Sequence, residues 1–229
     1  PQPQISNNDK EKLEVIYRNA NRMNYLINEL LTFSKIEMKQ MRISVRKGDI
    51  MHFLEELSHI FDIVAGEREI DFIVNLEDTE EEVWFSPSKL ERILYNLLSN
   101  AFKYTQPGGY VKLSAKLIKE EKETFVQISV KDNGRGIPKE AQEQIFESYY
   151  QVEKRDHREG FGLGLSLTRS LIHMHKGEIR VESEVNEGSD FIVTLNVSED
   201  AYGPDERSSE NITTEEIQKY NQRIKETIE

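Results

Sequence analysis

Apolar residues recur every three or four positions through the first forty residues of the chain. No Gly or Pro interrupts residues 5–45, and this period predicts a helix of about ten turns over residues 5–40. An apolar seam of that length is typical of a coiled coil or a helical bundle, although an ordinary core helix has the same period. The seam consists of Leu13, Ile16, Tyr17, Ala20, Met23, Ile27, Leu30, Leu31 and Ser34.

After residue 40 the hydrophobic period switches repeatedly between two residues and about four. Asp49 is positioned to cap one helix, Ser86 or Ser88 with Pro87 begins another, and Thr213 with Glu216 forms a capping box for the last. Predicted strands cover residues 41–47, 70–76, 83–85, 111–117, 126–130, 178–185 and 191–197. Predicted helices cover residues 50–64, 88–105, 138–146, 163–174 and 214–228.

The order of these elements predicts an α+β fold. Antiparallel hairpins alternate with helices, which favours a two-layer α/β sandwich whose mostly antiparallel mixed sheet carries helices on one face. The long bundle or coiled-coil helix precedes this sandwich. We therefore divide the chain into residues 1–40, residues 41–198 and an acidic tail or linker at 199–229 that contains the last predicted helix.

Composition narrows the class of protein. The chain has 229 residues, 37% of them hydrophobic, a net charge of −12 and no Cys. This acidic balance argues against nucleic-acid binding, and the lack of Cys removes disulfides and Cys-based zinc sites. No apolar run reaches the ~20 residues that span a bilayer, and the N-terminus lacks the features of a signal peptide. We predict a cytosolic chain without direct membrane contact.

One predicted helix, LERILYNLLSNAFKYT, carries an unexpected polar stripe. Asn96, Asn100 and Lys103 are spaced at i, i+4 and i+7, opposite a wide apolar face, and Tyr104 lies beside them. The stripe is either a solvated face or a binding surface. An amide oxygen suits a hard cation such as Mg²⁺, and an ammonium group suits phosphate oxygens.

Two glycine-containing motifs follow. In VQISVKDNGRGIP, the period of two places Asp132 on the inward side of a strand, where a carboxylate needs a partner; an exocyclic amine such as that of adenine would satisfy it. Gly134 and Gly136 allow close approach of the backbone, although Asp-Asn-Gly is also a common turn. In EGFGLGLSL, Gly160, Gly162 and Gly164 precede a helix, which describes either a phosphate-binding loop or a simple flexible entry to a core helix.

The order and spacing of these three motifs resemble those of sensor histidine kinases of two-component systems, within the wider GHKL group of ATPases. NLLSNAFKYT resembles their N box, DNGRGIP and GFGLGLSL their two glycine boxes, and IFESYYQ their F box. INELLTFSKIEMKQM is similar to the second helix of their dimerisation hairpin. The resemblance covers about residues 8–198.

The resemblance implies a role for each matching residue. Asp132 would accept a hydrogen bond from the adenine amine, Asn100 would hold Mg²⁺, and Lys103 would contact phosphate. Asn96 would lie beside the phosphates and Tyr104 near the purine, while Phe146 would anchor a lid at residues 147–161. The implied ATP-binding set is Asn96, Asn100, Lys103, Tyr104, Asp132, Gly134, Gly136, Ile137, Phe146, Gly160, Gly162, Leu163, Gly164 and Leu165.

The resemblance also implies a reaction. Hydrolytic relatives place a Glu, which activates water, where this chain has Asn96, and an amide is not a general base at neutral pH. Transfer of the ATP γ-phosphoryl group to a His, for relay to the receiver domain of a response regulator, is therefore expected, with a homodimer formed through the first helix. Two alternatives are a GHKL-type ATP hydrolase and a degenerate kinase that acts as a dimeric interaction module.

The acceptor His is not found where the family has it. None of His52, His59, His157, His173 and His175 lies in the first helix or precedes an acidic residue, and we interpret all five as structural or surface residues. We expect the chain to bind ATP and Mg²⁺ but to lack autophosphorylation by itself, because its acceptor helix would have to be supplied from outside the sequence.

Overall fold

The computed structural model describes residues 7–38, 40–151 and 162–228 of the chain. Its helices are α1 (Asn7–Glu37), α2 (Ile50–Arg68), α3 (Pro87–Tyr104), α4 (Gly164–Met174) and α5 (Thr214–Ile228). Its strands are β1 (Arg46–Asp49), β2 (Asp71–Leu76), β3 (Glu82–Phe85), β4 (Tyr110–Lys119), β5 (Thr124–Asp132), β6 (Glu178–Glu184) and β7 (Gly188–Asn196).

Five strands form the main sheet in the order β2-β4-β5-β7-β6. β2 is parallel to β4, and the other neighbours are antiparallel. Along β4, Val111, Leu113 and Ala115 are buried while the residues between them are more exposed, so one face of the sheet packs on the helices. This arrangement confirms the predicted α+β class with a mostly antiparallel mixed sheet.

α3 is the central helix of this packing. Ser86 occupies the N-cap position and Pro87 the first turn, as predicted, because a proline there loses no helical hydrogen bond. The wide apolar face is buried and includes Leu90, Leu94 and Leu98. α2 begins where the Asp49 carboxylate accepts a hydrogen bond from the backbone N–H of His52 at 2.9 Å.

Two predicted elements differ in the structure. Residues 138–146 form two short 3₁₀ turns, Lys139–Ala141 and Gln144–Phe146, rather than an α-helix. Between them, the Gln142 amide donates to the backbone carbonyls of Ile137 and Ser183, which ties the segment to neighbouring loops. The strand predicted at residues 41–47 begins later and ends two residues further along the chain, because only Arg46–Asp49 pairs with β3; Val45 makes a single bridge to Arg207.

α5 packs against the helical layer. Its bounds match the predicted helix, and its Ile217 and Ile224 are buried in the main core. The Tyr220 ring lies against Phe53 of α2 with ring centroids 5.9 Å apart. Glu216 accepts two hydrogen bonds from Arg46, at 2.8 and 2.9 Å. The division of the chain at residues 40 and 198 stays a prediction, and α5 adds its buried residues to the same core as α2 and α3.

His175 is a buried structural residue. Its Nδ1 donates to the Leu171 carbonyl at 2.9 Å, and its Nε2 accepts from the Ser86 backbone N–H at 3.2 Å. Burial lowers its pKa to about 4, so the imidazole is neutral at physiological pH. Within the described ranges, no helix combines the length and apolarity that crossing a membrane requires.

Candidate functional site

The polar stripe of α3 lies along one wall of a cavity of about 270 Å³. Asn96 is buried, and its amide nitrogen donates to the Gly164 carbonyl at 3.2 Å and to the Thr168 hydroxyl at 3.1 Å. Asn100, one turn further along α3, is half-buried and lines the same wall. At Asn96 and Asn100 the stripe is therefore not a solvated face, and Asn96 joins α3 to α4 directly, whereas Lys103 at the end of the stripe is exposed.

Lys103 and Tyr104 lie at the C-terminal end of the stripe. The Lys103 ammonium is 4.9 Å from the centroid of the Tyr104 ring, and the Arg135 guanidinium lies over the same ring at 4.3 Å. Both distances are within the range of cation–π contacts. The predicted contact of Lys103 with phosphate stays a prediction, since the structure places this ammonium beside Tyr104.

Asp132 ends β5 and also lines the cavity. It is 4% exposed, and its Oδ1 accepts a hydrogen bond from the Gly134 backbone N–H at 2.8 Å. Burial raises the pKa of this carboxyl, an effect that hydrogen bonds from the Gly134 and Ser189 backbones partly oppose. An acceptor held in this way at the end of a buried strand can recognise an amine of a ligand.

The loop after Asp132 is held by backbone contacts that require glycine. Gly136 has φ of +68°, and a Cβ at this position would overlap with the Glu184 carbonyl. The Ile137 N–H donates to the Ser183 hydroxyl at 2.8 Å, and the Asn186 N–H donates to the Arg135 carbonyl at 2.8 Å. These bonds fix the loop against the turn between β6 and β7.

The structure brings most of the predicted residues to this cavity. Those that line it are Asn96, Asn100, Lys103, Tyr104, Asp132, Gly136, Ile137, Gly162, Leu163, Gly164 and Leu165. Gly134 and Phe146 support the wall instead: Gly134 bonds to Asp132, and the Phe146 ring packs on Phe191 with centroids 6.4 Å apart. Gly160 and the lid residues 152–161 lie outside the described residues.

Several lining residues were not predicted. Arg135 lies inside the DNGRGIP motif, and its position there was a signal that it faces the site. Ser189 and Phe191 come from β7, and Tyr150 and Gln151 come from the part of the predicted lid that the structure describes. Glu29 comes from α1, and no local pattern marks it, because its neighbours in the cavity are more than sixty residues away in sequence.

The donor set of the cavity fits a magnesium–phosphate group without a dedicated metal cage. Among the described residues, no group of three or more His, Cys, Asp or Glu side chains could hold a metal ion. Mg²⁺ usually binds through one or two protein oxygens together with substrate phosphates and water. Asn100 supplies such an oxygen on the cavity wall, so the residues present agree with that mode of binding.

Comparison with known proteins identifies the family. Residues 85–199, half of the chain, match the family described as histidine kinase-, DNA gyrase B- and HSP90-like ATPases. The chain belongs to this family of ATPases.

Within the family, the similar proteins are sensor histidine kinases. The chain is 34% identical over 195 residues to histidine kinase P4 of Formosa agariphila, covering 83% of this chain and 14% of that protein. It is 34% identical over 190 residues to the sensor histidine kinase WalK of Bacillus subtilis, covering 82% of this chain and 31% of WalK. The matched region is therefore the ATP-binding catalytic domain of a sensor histidine kinase, and the chain spans less than a third of these two relatives.

Solved structures show the same fold. The structure of full-length ShkA in complex with AMPPNP has a TM-score of 0.73 at 23% identity, covering 85% of this chain and 40% of ShkA. The nucleotide-free catalytic domain of histidine kinase ThkA has a TM-score of 0.59 at 25% identity, covering 68% of this chain and 99% of that domain.

Proposed function

We propose that the chain binds Mg²⁺-ATP in the cavity between α3, α4 and the Asp132 loop, and transfers the γ-phosphoryl group to a His on a dimerisation helix. The observation that carries this proposal is the convergence of Asp132, Asn100 and Lys103 on one cavity. The family match and the AMPPNP complex of ShkA agree with a nucleotide ligand. Relay to the Asp of a response-regulator receiver would follow.

The orientation of the nucleotide follows from the two ends of the cavity. Adenine would lie at Asp132, whose carboxylate accepts from the exocyclic amine, with the Tyr104 ring nearby. The triphosphate would extend along α3 toward Asn100 and Asn96, and Asn100 would hold Mg²⁺. The ion would supply charge neutralisation for the transferred phosphoryl group, while the chain's own residues bind and orient the nucleotide.

The environment of Asn96 favours transfer of the γ-phosphoryl group to a His over hydrolysis of ATP by water. Its amide nitrogen donates to Gly164 and Thr168, and an amide has no proton affinity suited to activating water. The hydrolase alternative requires another base and predicts steady phosphate release without an acceptor. The degenerate-kinase alternative predicts no binding of ATP at all.

Substitution of Asp132 tests the nucleotide site. In Asp132→Asn the shape is kept, but a donor replaces one acceptor, so we expect the affinity for a nonhydrolysable ATP analogue with Mg²⁺ to fall on the order of 100-fold. Isothermal titration calorimetry measures this loss. Folding stability should not fall, because the variant removes a carboxylate whose burial is unfavourable. Asp190→Asn, on the adjacent strand and outside the cavity lining, is the matched control and should bind as the wild type does.

Phosphoryl transfer is tested by supplying an acceptor. A dimerisation hairpin that carries the acceptor His of the kinase family, added with γ-labelled ATP, should acquire acid-labile label on that His. Label released only as free phosphate would contradict the kinase and favour the hydrolase.

We also propose a homodimer formed through α1. The seam residues Leu13, Ile16, Met23, Ile27 and Leu30 alternate at spacings that fit a heptad, and they are 49–63% exposed in the single chain. A second copy of this helix would cover them. Light scattering should give a dimer mass, and a monomer at every concentration tested would contradict this part of the proposal.

A further inference from the structure

α3 and α4 meet at a buried polar contact. Asn96 of α3 and Thr168 of α4 are both buried. The Asn96 amide nitrogen donates to the Thr168 hydroxyl at 3.1 Å and to the Gly164 carbonyl at 3.2 Å. Gly164 and Thr168 are four residues apart, so they lie on the same face of α4. The two acceptors therefore hold the amide from one side.

The surroundings of this contact are apolar. Leu97 follows Asn96 on α3, Leu167 precedes Thr168 on α4, and both leucines are buried in the main core. A polar group in such surroundings is stable only when it is hydrogen-bonded, because water cannot replace a lost partner. The Thr168 hydroxyl therefore meets a requirement of the Asn96 amide that a methyl group of the same size would not meet.

The contact also fixes the orientation of the amide. The Gly164 carbonyl can only accept a hydrogen bond, so the amide must turn its nitrogen toward α4. An amide nitrogen carries two hydrogens, and the Gly164 and Thr168 acceptors account for both of them. The group that Asn96 can present to a ligand in the cavity is therefore its carbonyl oxygen.

This oxygen determines which ligand Asn96 suits. Phosphate oxygens accept hydrogen bonds, and so does an amide oxygen, so the two do not pair directly. An amide oxygen instead suits Mg²⁺ or the water molecules that this ion keeps when it binds. Asn96 lines the cavity one helical turn from Asn100, the residue proposed to hold Mg²⁺. The position of the Asn96 oxygen should therefore matter when the triphosphate carries the metal ion and not when the metal is absent.

We propose that Thr168 is a positioning residue of the nucleotide site, which holds the Asn96 amide so that its oxygen serves the end of the cavity proposed for Mg²⁺. Thr168 is not among the described residues that line the cavity, and it acts through Asn96. Without the hydroxyl, one amide hydrogen loses its acceptor, and the amide shifts to recover a partner. This inference rests on the proposed binding of Mg²⁺-ATP.

Binding of a nonhydrolysable ATP analogue by Thr168→Val tests this role. Valine keeps the shape of the side chain and removes the acceptor. Calorimetry with Mg²⁺ and with EDTA gives the factor by which the metal tightens binding. This factor should fall about fivefold in Thr168→Val, the size expected for one neutral hydrogen bond. Affinity for the metal-free analogue should equal that of the wild type, and Thr168→Ser, which keeps the hydroxyl, should restore the wild-type factor.

Ser170→Ala is the matched control. Ser170 lies two residues further along α4, donates one side-chain hydrogen bond to the Ser166 carbonyl at 3.0 Å, and is not among the described residues that line the cavity. Its substitution should leave the factor unchanged. A double-mutant cycle with Asn96→Ala tests the route of the effect: in that background, Thr168→Val should cause no further loss.

A second variant and a measurement without nucleotide protect the test against a poorly folding protein. Thr168→Ala also lacks the hydroxyl and should show the same loss of the factor. By NMR, the side-chain amide protons of Asn96, identified by their absence in Asn96→Ala, should exchange slowly with solvent in the wild type. Their exchange should be faster in Thr168→Val, because one of them has lost its acceptor.

Three results would overturn the inference: an unchanged factor in Thr168→Val, equal weakening with and without Mg²⁺, or a further loss in the Asn96→Ala background. Equal exchange of the Asn96 amide protons in the wild type and Thr168→Val would overturn it as well. If the wild type binds the analogue and only these tests fail, the proposed function stands. If the wild type binds no nucleotide, both the proposed function and the inference fail.

Discussion

The two sides of the cavity are built in different ways. On the sheet side, Asp132 and its loop are held by backbone hydrogen bonds within a strand ladder, such as Asp132 opposite Ser189 on β7. On the helical side, elements meet through individual side chains, among them Arg92 of α3 with Thr32 of α1 and Arg46 of β1 with Glu216 of α5. Backbone ladders offer few alternative geometries, whereas side-chain contacts can break one at a time.

This difference separates the end of the cavity at Asp132, whose geometry is fixed, from the end at α1, whose geometry can change. The end of the cavity that we propose for adenine is preformed by the fold, because the position of Asp132 is set by strand register. The end that we propose for the phosphates depends on how α1 is docked, because Glu29 of α1 lines the cavity there beside Asn96. We therefore expect changes on the sheet side to affect global stability and changes on the helical side to affect docking and pH dependence.

The largest effect is expected at Gly188, beside the Asp132 turn. Gly188 has φ of +106°, and a Cβ there would overlap with the Asp132 carbonyl. Gly188→Ala should lower the free energy of unfolding by about 3 kcal/mol or more and should weaken nucleotide binding by displacing Asp132. Urea denaturation measures the first effect and calorimetry the second.

Gly66 provides the matched control for this substitution. It lies inside α2, and a Cβ there would meet nothing within 4 Å. Gly66→Ala should raise the free energy of unfolding by roughly 0.5–1 kcal/mol, since alanine favours the helix. Similar effects of the two substitutions would show that the turn around Asp132 is not rigid.

A smaller effect, on the pH dependence of the free energy of unfolding, is expected from substitution of Glu91 on α3. Burial raises its pKa to about 7, although the nearby charges of Arg223 and Arg92 partly oppose the increase. In the unfolded chain its pKa is about 4.5, so the folded state binds more protons between these values and stability falls as pH rises through this window. Removing the ionisable group should abolish this part of the pH dependence.

The free energy of unfolding of Glu91→Gln, relative to that of the wild type, should therefore increase by roughly 1–2 kcal/mol between pH 5 and pH 8, after allowance for solvent screening. Denaturation at several pH values gives the difference between the two proteins. The exposed Glu67 of α2 is the control, and Glu67→Gln should follow the wild-type curve. A constant difference across pH for Glu91→Gln would contradict the prediction.

The smallest effect is expected where Thr32 of α1 contacts α3. Thr32→Val keeps the shape of the side chain but removes the acceptor for Arg92. The free energy of unfolding should therefore fall by under about 1 kcal/mol. Hydrogen exchange of the backbone amides of residues 28–37 should become faster, while that of β5 should not change. A double-mutant cycle with Arg92→Met isolates the pair, and zero coupling would show that this contact does not hold α1.

Much of the fold and the site was predictable from local patterns. The α3 stripe, the Asp132 turn and the glycine-rich entry to α4 each depend on residues within a few positions of one another, where helical and strand periods decide which side chains share a face. The helix at residues 138–146 was predicted wrongly because Gln142 bonds to backbone at Ile137 and Ser183, and the latter contact is not local.

The sequence by itself determined the order of helices and strands, the polar stripe and the family-specific motifs, because these are properties of neighbouring residues. Only the tertiary structure decided that α5 packs on α2, that Arg135 lies over Tyr104, and that Glu29 enters the cavity beside Tyr95. The physical reason is distance along the chain. Glu29 and Asn96 are 67 positions apart, and only the packing of whole helices brings them to the same site.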